Sequence, residues 1–143
     1  MKLPLTGTAF LTVNDRDKPN LLPAARGLAE LGFRLIATSG TAAYLREQGL
    51  ACDHVYKVLE GRPNAVDLMK NDEIHLVLNT PLGRGSYFDE KSIRTTATQR
   101  GVPLITTLSG GHAVVEAIRA LRSGPLEVRS LQEIYEEAPA PGA

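Results

Sequence analysis

The tetrapeptide Thr38-Ser39-Gly40-Thr41 puts three hydroxyls and one glycine in consecutive positions. Hydroxyls donate hydrogen bonds without carrying charge, and glycine lets a ligand come close to the backbone. The apolar run Leu35-Ile36-Ala37 precedes it, and Ala42 and Leu45 follow, with Glu47 and Gln48 on another face. This spacing predicts a buried strand, a tight turn and a helix in immediate succession. The first amides of a helix have no partner inside it and lie at the positive end of its dipole. Such a turn can hold an anion such as phosphate. The same four residues also suit an ordinary strand-to-helix turn in which a Ser or Thr caps the helix.

The elements around the turn decide what else reaches it. Thr8 to Val13 reads as a first strand, and Asn14 to Lys18 as a polar turn. Pro19 suits a first helical position, Leu21, Leu22, Ala25, Leu28 and Ala29 form a helical stripe, and Gly32 closes it. After the Thr38–Thr41 helix, which stops near Gly49, Ala51 to Val58 is a weaker strand carrying Cys52, His54 and Lys57. Asn64 to Asn71 reads as a short helix, with Ala65, Leu68 and Met69 inward. Ile74 to Leu78 is the clearest buried strand, with His75 inside it, and it runs into the glycine-rich loop Asn79 to Gly85. A helix over about 89–100 is closed by Gly101 and Pro103, and Leu104 to Thr107 is a further strand. Ser109-Gly110-Gly111 opens a helix with Val114, Val115, Ile118 and Leu121 as its inner stripe; it reads as a cap first and a ligand contact second. Beyond Pro125, Leu131, Ile134 and Tyr135 predict a terminal helix. Residues 1–7 read as a lead-in, 8–137 as the domain and 138–143 as a flexible tail.

Strands and helices alternate about five times, which predicts an α/β domain: a parallel sheet covered by helices on both faces. Ligands bind such sheets outside the carboxyl ends of the strands. The loops carrying Lys18, Thr38–Thr41 and Asn79 to Arg84 should therefore share one rim, with Lys57 in reach. Two ammonium groups, several hydroxyls, an amide side chain and backbone N–H groups would then converge, and charge-assisted bonds to phosphate are a strong class.

Composition narrows the partners. The chain has 143 residues, 43% of them apolar, enough for one domain with a core. Sixteen basic and sixteen acidic residues cancel, which argues against nucleic acid or an anionic membrane surface as the main partner. No apolar run approaches a membrane span, and Met1-Lys2-Leu3-Pro4 lacks the apolar core of a secretion signal. Cys52 is the single cysteine, so no internal disulfide forms, and a cytoplasmic setting is expected. It reads as a buried structural thiol. His54, His75 and His112 show no metal-ligand spacing and read as structural.

Five stretches occur in an order that resembles a known family: Thr8–Lys18, Ala37–Thr41, Val55–Pro63, Asn79-Thr80-Pro81 and Thr106–Gly110. Lys57-Val58-Leu59-Glu60-Gly61-Arg62-Pro63 is the most specific of them. Over roughly residues 7–137 the chain is similar to the C-terminal regulatory domain of the carbamoyl phosphate synthetase large subunit, within the methylglyoxal-synthase-like superfamily. The resemblance implies a three-layer, flavodoxin/Rossmann-like five-stranded parallel sheet. It implies a site for nucleotide monophosphates, with uridine monophosphate as inhibitor and inosine monophosphate as activator. Carried over by position, Lys18, Thr38, Ser39, Gly40, Thr41 and Lys57 would hold the phosphate, and Asn79, Thr80 and Ile93 would lie along the ribose and base. Pro81 stands where the family has a second threonine, which removes a hydroxyl from that loop. Arg84 fits a nucleotide contact or a domain contact equally.

The resemblance implies no catalytic residue, metal or cofactor in the domain itself. The parent enzyme is an ATP- and magnesium-dependent, glutamine-hydrolysing ligase serving pyrimidine and arginine biosynthesis. Its partners would be the rest of the large subunit and the glutaminase small subunit. The alternative is the sibling methylglyoxal synthase, which acts on dihydroxyacetone phosphate. That chemistry needs a carboxylate base, and the loop where the family keeps its base holds Arg62 here. The rival's Asp-Pro and nearby histidine are replaced by Thr80-Pro81 and by Tyr87 or a neighbour of it.

Overall fold

A computed structural model describes the backbone of residues 2–80 and 87–137 and the side chains of 2–80 and 90–123. Pro81, Arg84 and the 138–143 tail lie outside the described residues, as do the side chains of Tyr87, Leu131, Ile134 and Tyr135. The strands are β1 (Thr8–Thr12), β2 (Arg34–Ala37), β3 (Asp53–His54), β4 (Leu76–Asn79) and β5 (Leu104–Ile105). They form one five-stranded parallel sheet in the order β3-β2-β1-β4-β5. The helices are α1 (Lys18–Glu30), α2 (Ser39–Glu47), α3 (Ala65–Lys70), α4 (Tyr87–Arg100) and α5 (Leu108–Glu137). The expected three-layer α/β architecture is therefore present.

The sheet is buried on both faces, which is why its strands read as apolar runs and not as alternating ones. Ala9, Leu11, Leu35, Ala37, Leu76 and Leu78 face a core shared with α1, α2 and α5. Phe10, Ile36 and Val77 face the opposite core, shared with α3 and α4. Gly32, with φ of 90°, ends the α1 segment as expected, a backbone that glycine adopts at no cost. Gly27 lets α1 and α5 pack closely, since a Cβ there would stand 2.6 Å from Val115 Cγ1.

Several boundaries differ from expectation. The third and fifth strands are two residues each and form the two edges of the sheet. His75 precedes β4 and is exposed; its Nδ1 accepts the Thr8 N–H at 2.9 Å, at the amino end of the sheet. The helical backbone of α5 runs through Pro125 without a break, so the expected terminal helix is the continuation of α5. The Ser123 hydroxyl donates to the carbonyls of Arg119 and Ala120 in the turn before it. Leu121 is 49% exposed and does not join the inner stripe. By that point α5 has reached the end of α1, where Arg122 donates to the Leu31 carbonyl.

Candidate functional site

Three chain segments leave the carboxyl ends of β1, β2 and β3 and meet over one cavity. After β1, the Asn14 side chain caps a short 3-10 turn over Asp15–Asp17, accepting the Asp17 N–H at 2.8 Å and donating to the Asp17 carboxylate at 2.7 Å. That turn folds Lys18 back over the strand end. The Lys18 Nζ lies 3.4 Å from the Val13 carbonyl and 2.5 Å from an Asp15 oxygen. The Lys18 side chain is only 13% exposed, whereas that of Asp15 is wholly exposed. The hydrogen bond and the charge of Lys18 hold the Asp15 carboxyl below its usual range.

After β2, Thr38 takes the N-cap position of α2 in an extended conformation, but its hydroxyl makes no capping bond. It lies instead 3.2 Å from the Thr12 hydroxyl. The Thr41 hydroxyl accepts the Val13 N–H at 3.3 Å. Both threonines are buried, and both fasten the start of α2 to the end of β1. The amide donors at the start of α2 are thus left without a side-chain cap, at the positive end of the helix. Gly40 keeps the approach open: a Cβ there would stand 3.7 Å from the Lys18 Nζ. Ser39 is exposed at the first turn.

After β3, Lys57 begins a turn closed by the Glu60 N–H to the Lys57 carbonyl, 3.0 Å, and by the Lys57 N–H to the Glu60 carboxylate, 2.8 Å. Lys57 lines the same cavity of about 210 Å³ as Lys18, Thr38, Gly40 and Thr41, with Asn14 and Asp15 on the near wall.

Beside this cavity, the strand order reverses between β1 and β4, the position at which such sheets bind ligands. Asn79 pairs in register with Thr12 and is fully buried, with neither side-chain amide atom partnered among the described residues. The Thr80 hydroxyl accepts the Asn14 N–H at 3.3 Å, and the Thr80 amide donates to the Thr12 carbonyl. Asn79 and Thr80 thus adjoin the cavity from the β4 side. Ile93 is not brought to it: at 4% exposure it packs in the α3/α4 core with Phe10, Ile36 and Val77.

Two participants were missed in the sequence. Thr12 reads there only as a β former, although period-two alternation after Phe10 places it on a buried face beside Thr38. Asp15 reads as a solvated turn residue, although its spacing of three from Lys18 allowed an ion pair. The Arg62 guanidinium is turned to α3, gripping Asp67 at 2.7 and 3.2 Å. Asp67 also completes a capping box with Asn64. Cys52 is buried as expected, and burial pushes its thiol up to about 11.

Fold and cavity together define a doubly wound α/β domain with a cationic cavity at the carboxyl ends of its strands. The chain belongs to the MGS-like domain family, whose signature matches residues 20–106. It is 48% identical over 133 residues to a carbamoyl phosphate synthase large chain of Mesorhizobium japonicum, covering 93% of this chain and 11% of that one. It is 47% identical over 139 residues to the C-terminal section of that large chain from Aquifex aeolicus, covering 94% of this chain and 26% of that one. This chain therefore spans only a small part of the curated relatives it matches. Among solved structures, a methylglyoxal synthase from Elizabethkingia anophelis has the same fold, with a TM-score of 0.63, 18% identity and 79% coverage of each chain.

Proposed function

We propose that this domain binds a nucleoside monophosphate through its phosphate and serves as an effector site of a carbamoyl phosphate synthase large chain. The observation that carries the reading is the convergence of Lys18, Lys57, Thr38 and the open start of α2 on one cavity. A phosphomonoester dianion matches two ammonium groups and a helix N-terminus. Ser39 offers its hydroxyl at the edge. Asn79 and Thr80 supply amide and hydroxyl groups for a ribose or base.

Uridine monophosphate is the inhibitor and inosine monophosphate the activator in this reading. In the parent ligase, which would use ATP, magnesium and a glutaminase subunit, the effector resets carbamoyl phosphate formation for pyrimidine and arginine synthesis. An effector acts only through its differential affinity for two states of the whole enzyme. The domain alone therefore binds without turnover. Its nearby carboxylates are already engaged: Glu60 by the Lys57 amide, Asp67 by Arg62, and Asp15 by Lys18, which weakens it as a base.

Titration calorimetry with uridine and inosine monophosphates tests the reading. Wild type should give a saturable one-to-one isotherm, and Lys57→Ala should lose roughly ten- to a hundredfold in affinity, the scale of one charged hydrogen bond. Unchanged affinity in that variant overturns the site. Incubation with dihydroxyacetone phosphate should release no phosphate; sustained release would favour a synthase.

A further inference from the structure

We propose that Asp15 is a resident anion of the cavity, a built-in competitor that restricts the site to dianionic ligands. The inference rests on the phosphate-site reading above and adds a selectivity device to it. Lys18 is one of two ammonium groups lining the cavity, and it is already neutralised at 2.5 Å by a carboxylate lining the same cavity. The lysine is largely enclosed, whereas the carboxylate is wholly exposed. One partner is fixed and the other is free to swing into water.

The fixing is visible in the bonds. Lys18 also touches the Val13 carbonyl, and it begins α1. The turn that carries Asp15 is held by the Asn14 and Asp17 side chains and by backbone bonds, not by the Asp15 side chain, which bonds only Lys18 among the described residues. Asp15 can therefore leave without unfolding its turn.

The charge count then gives the selectivity. With Asp15 in place, the cavity offers Lys57 and the α2 amides. A monoanion entering it meets, among the described residues, one free ammonium and the repulsion of Asp15. Displacing Asp15 with a carboxylate exchanges one like ion pair for another and gains nothing at Lys18. A tetrahedral dianion can engage Lys18, Lys57 and the helix amides together, and it replaces the ion pair with a more highly charged one. Phosphomonoesters pass this threshold; simple carboxylates do not.

The test uses inorganic phosphate at pH 8, where it is mainly a dianion, with acetate as the monoanionic challenger. Phosphate affinity is read by calorimetry on wild type, Asp15→Asn, Asp15→Ser and Lys57→Ala. Circular dichroism and thermal melts check that each variant folds. In wild type, acetate should not compete with phosphate. In both Asp15 variants phosphate should bind about fivefold more tightly, the scale of one exposed ion pair. Acetate should now compete, a readout that a purely structural role for Asp15 would not move. Weaker phosphate binding in both Asp15 variants would make Asp15 an orienter of Lys18 and overturn the inference. So would unchanged binding and no acetate competition, provided Lys57→Ala still abolishes the phosphate isotherm. If Lys57→Ala leaves phosphate binding intact, the phosphate site itself is wrong and the inference goes with it.

Discussion

Replacing Gly40 by alanine separates fold from function, because the two should move in opposite directions. Gly40 lies in the first turn of α2, and its φ is not in the left-handed region. An added Cβ would meet only the Lys18 side chain, at 3.7 Å from Nζ and 3.8 Å from Cε, which is ordinary contact. No backbone must shift. Alanine is favoured over glycine by up to about 1 kcal/mol inside a helix, and less in a first turn. A gain of about 0.5 kcal/mol should raise the melting temperature by roughly 1–3 °C for a domain of this size. The same methyl fills the space between the helix amides and the Lys18 ammonium. A phosphate oxygen must come within about 3 Å of an amide nitrogen to bond it, and the methyl stands in that path. Affinity for uridine monophosphate should therefore fall at least about tenfold, the loss of one charge-assisted bond. The assays are a thermal melt without ligand and calorimetry with it. A variant that melts higher and binds as well as wild type would show that no anion approaches this turn. A variant that melts lower would refute the packing argument.

Other perturbations follow from the packing and the titrating groups. Gly27→Ala forces a Cβ into Val115 Cγ1, and should destabilise by about 1–3 kcal/mol in urea denaturation. Adding Val115→Ala should recover part of that loss if the clash is the cause. Asn64→Ala removes the capping box of α3 and should cost about 1 kcal/mol by the same measurement. Burial raises the Cys52 thiol from its ordinary 9.0 to about 11. The folded chain then holds a proton that the unfolded chain releases, so Cys52 makes stability fall as pH rises from 9 to 11, and Cys52→Ala should flatten that part of the profile. Alkylation of the native protein at pH 8 should be much slower than that of the urea-unfolded chain, read by mass spectrometry.

Much of this was legible in the sequence where apolar pattern and punctuation agree. Leu35-Ile36-Ala37 is apolar on both faces because both faces of β2 are covered, and Gly32 and Gly49 stop the flanking helices with φ of 90° and 87°. The rim follows from the parallel topology, which by itself brings Lys18, the Thr38–Thr41 turn and Lys57 together. The edges were harder. A two-residue strand carries no periodicity, and a mid-helix proline is locally a stop signal. Leu121 fitted the helical period, yet nothing local tells how far the partner helix extends. Ile93 shows a different limit: it is assigned by resemblance alone, and its side chain is buried in the α3/α4 core. The role of Asp15 is not legible in the sequence, because an ion pair across a short turn depends on how the turn folds, which the cap from Asn14 decides.

The central claim is that the start of α2, Lys18 and Lys57 grip one phosphoryl group. A crystal structure of the domain with uridine monophosphate tests it most directly. The account predicts the phosphorus over the Thr38–Thr41 turn, its oxygens within about 3 Å of the Lys18 and Lys57 ammonium groups and of an α2 amide. A nucleotide bound with its phosphate elsewhere, or with Lys18 still paired to Asp15, would contradict it.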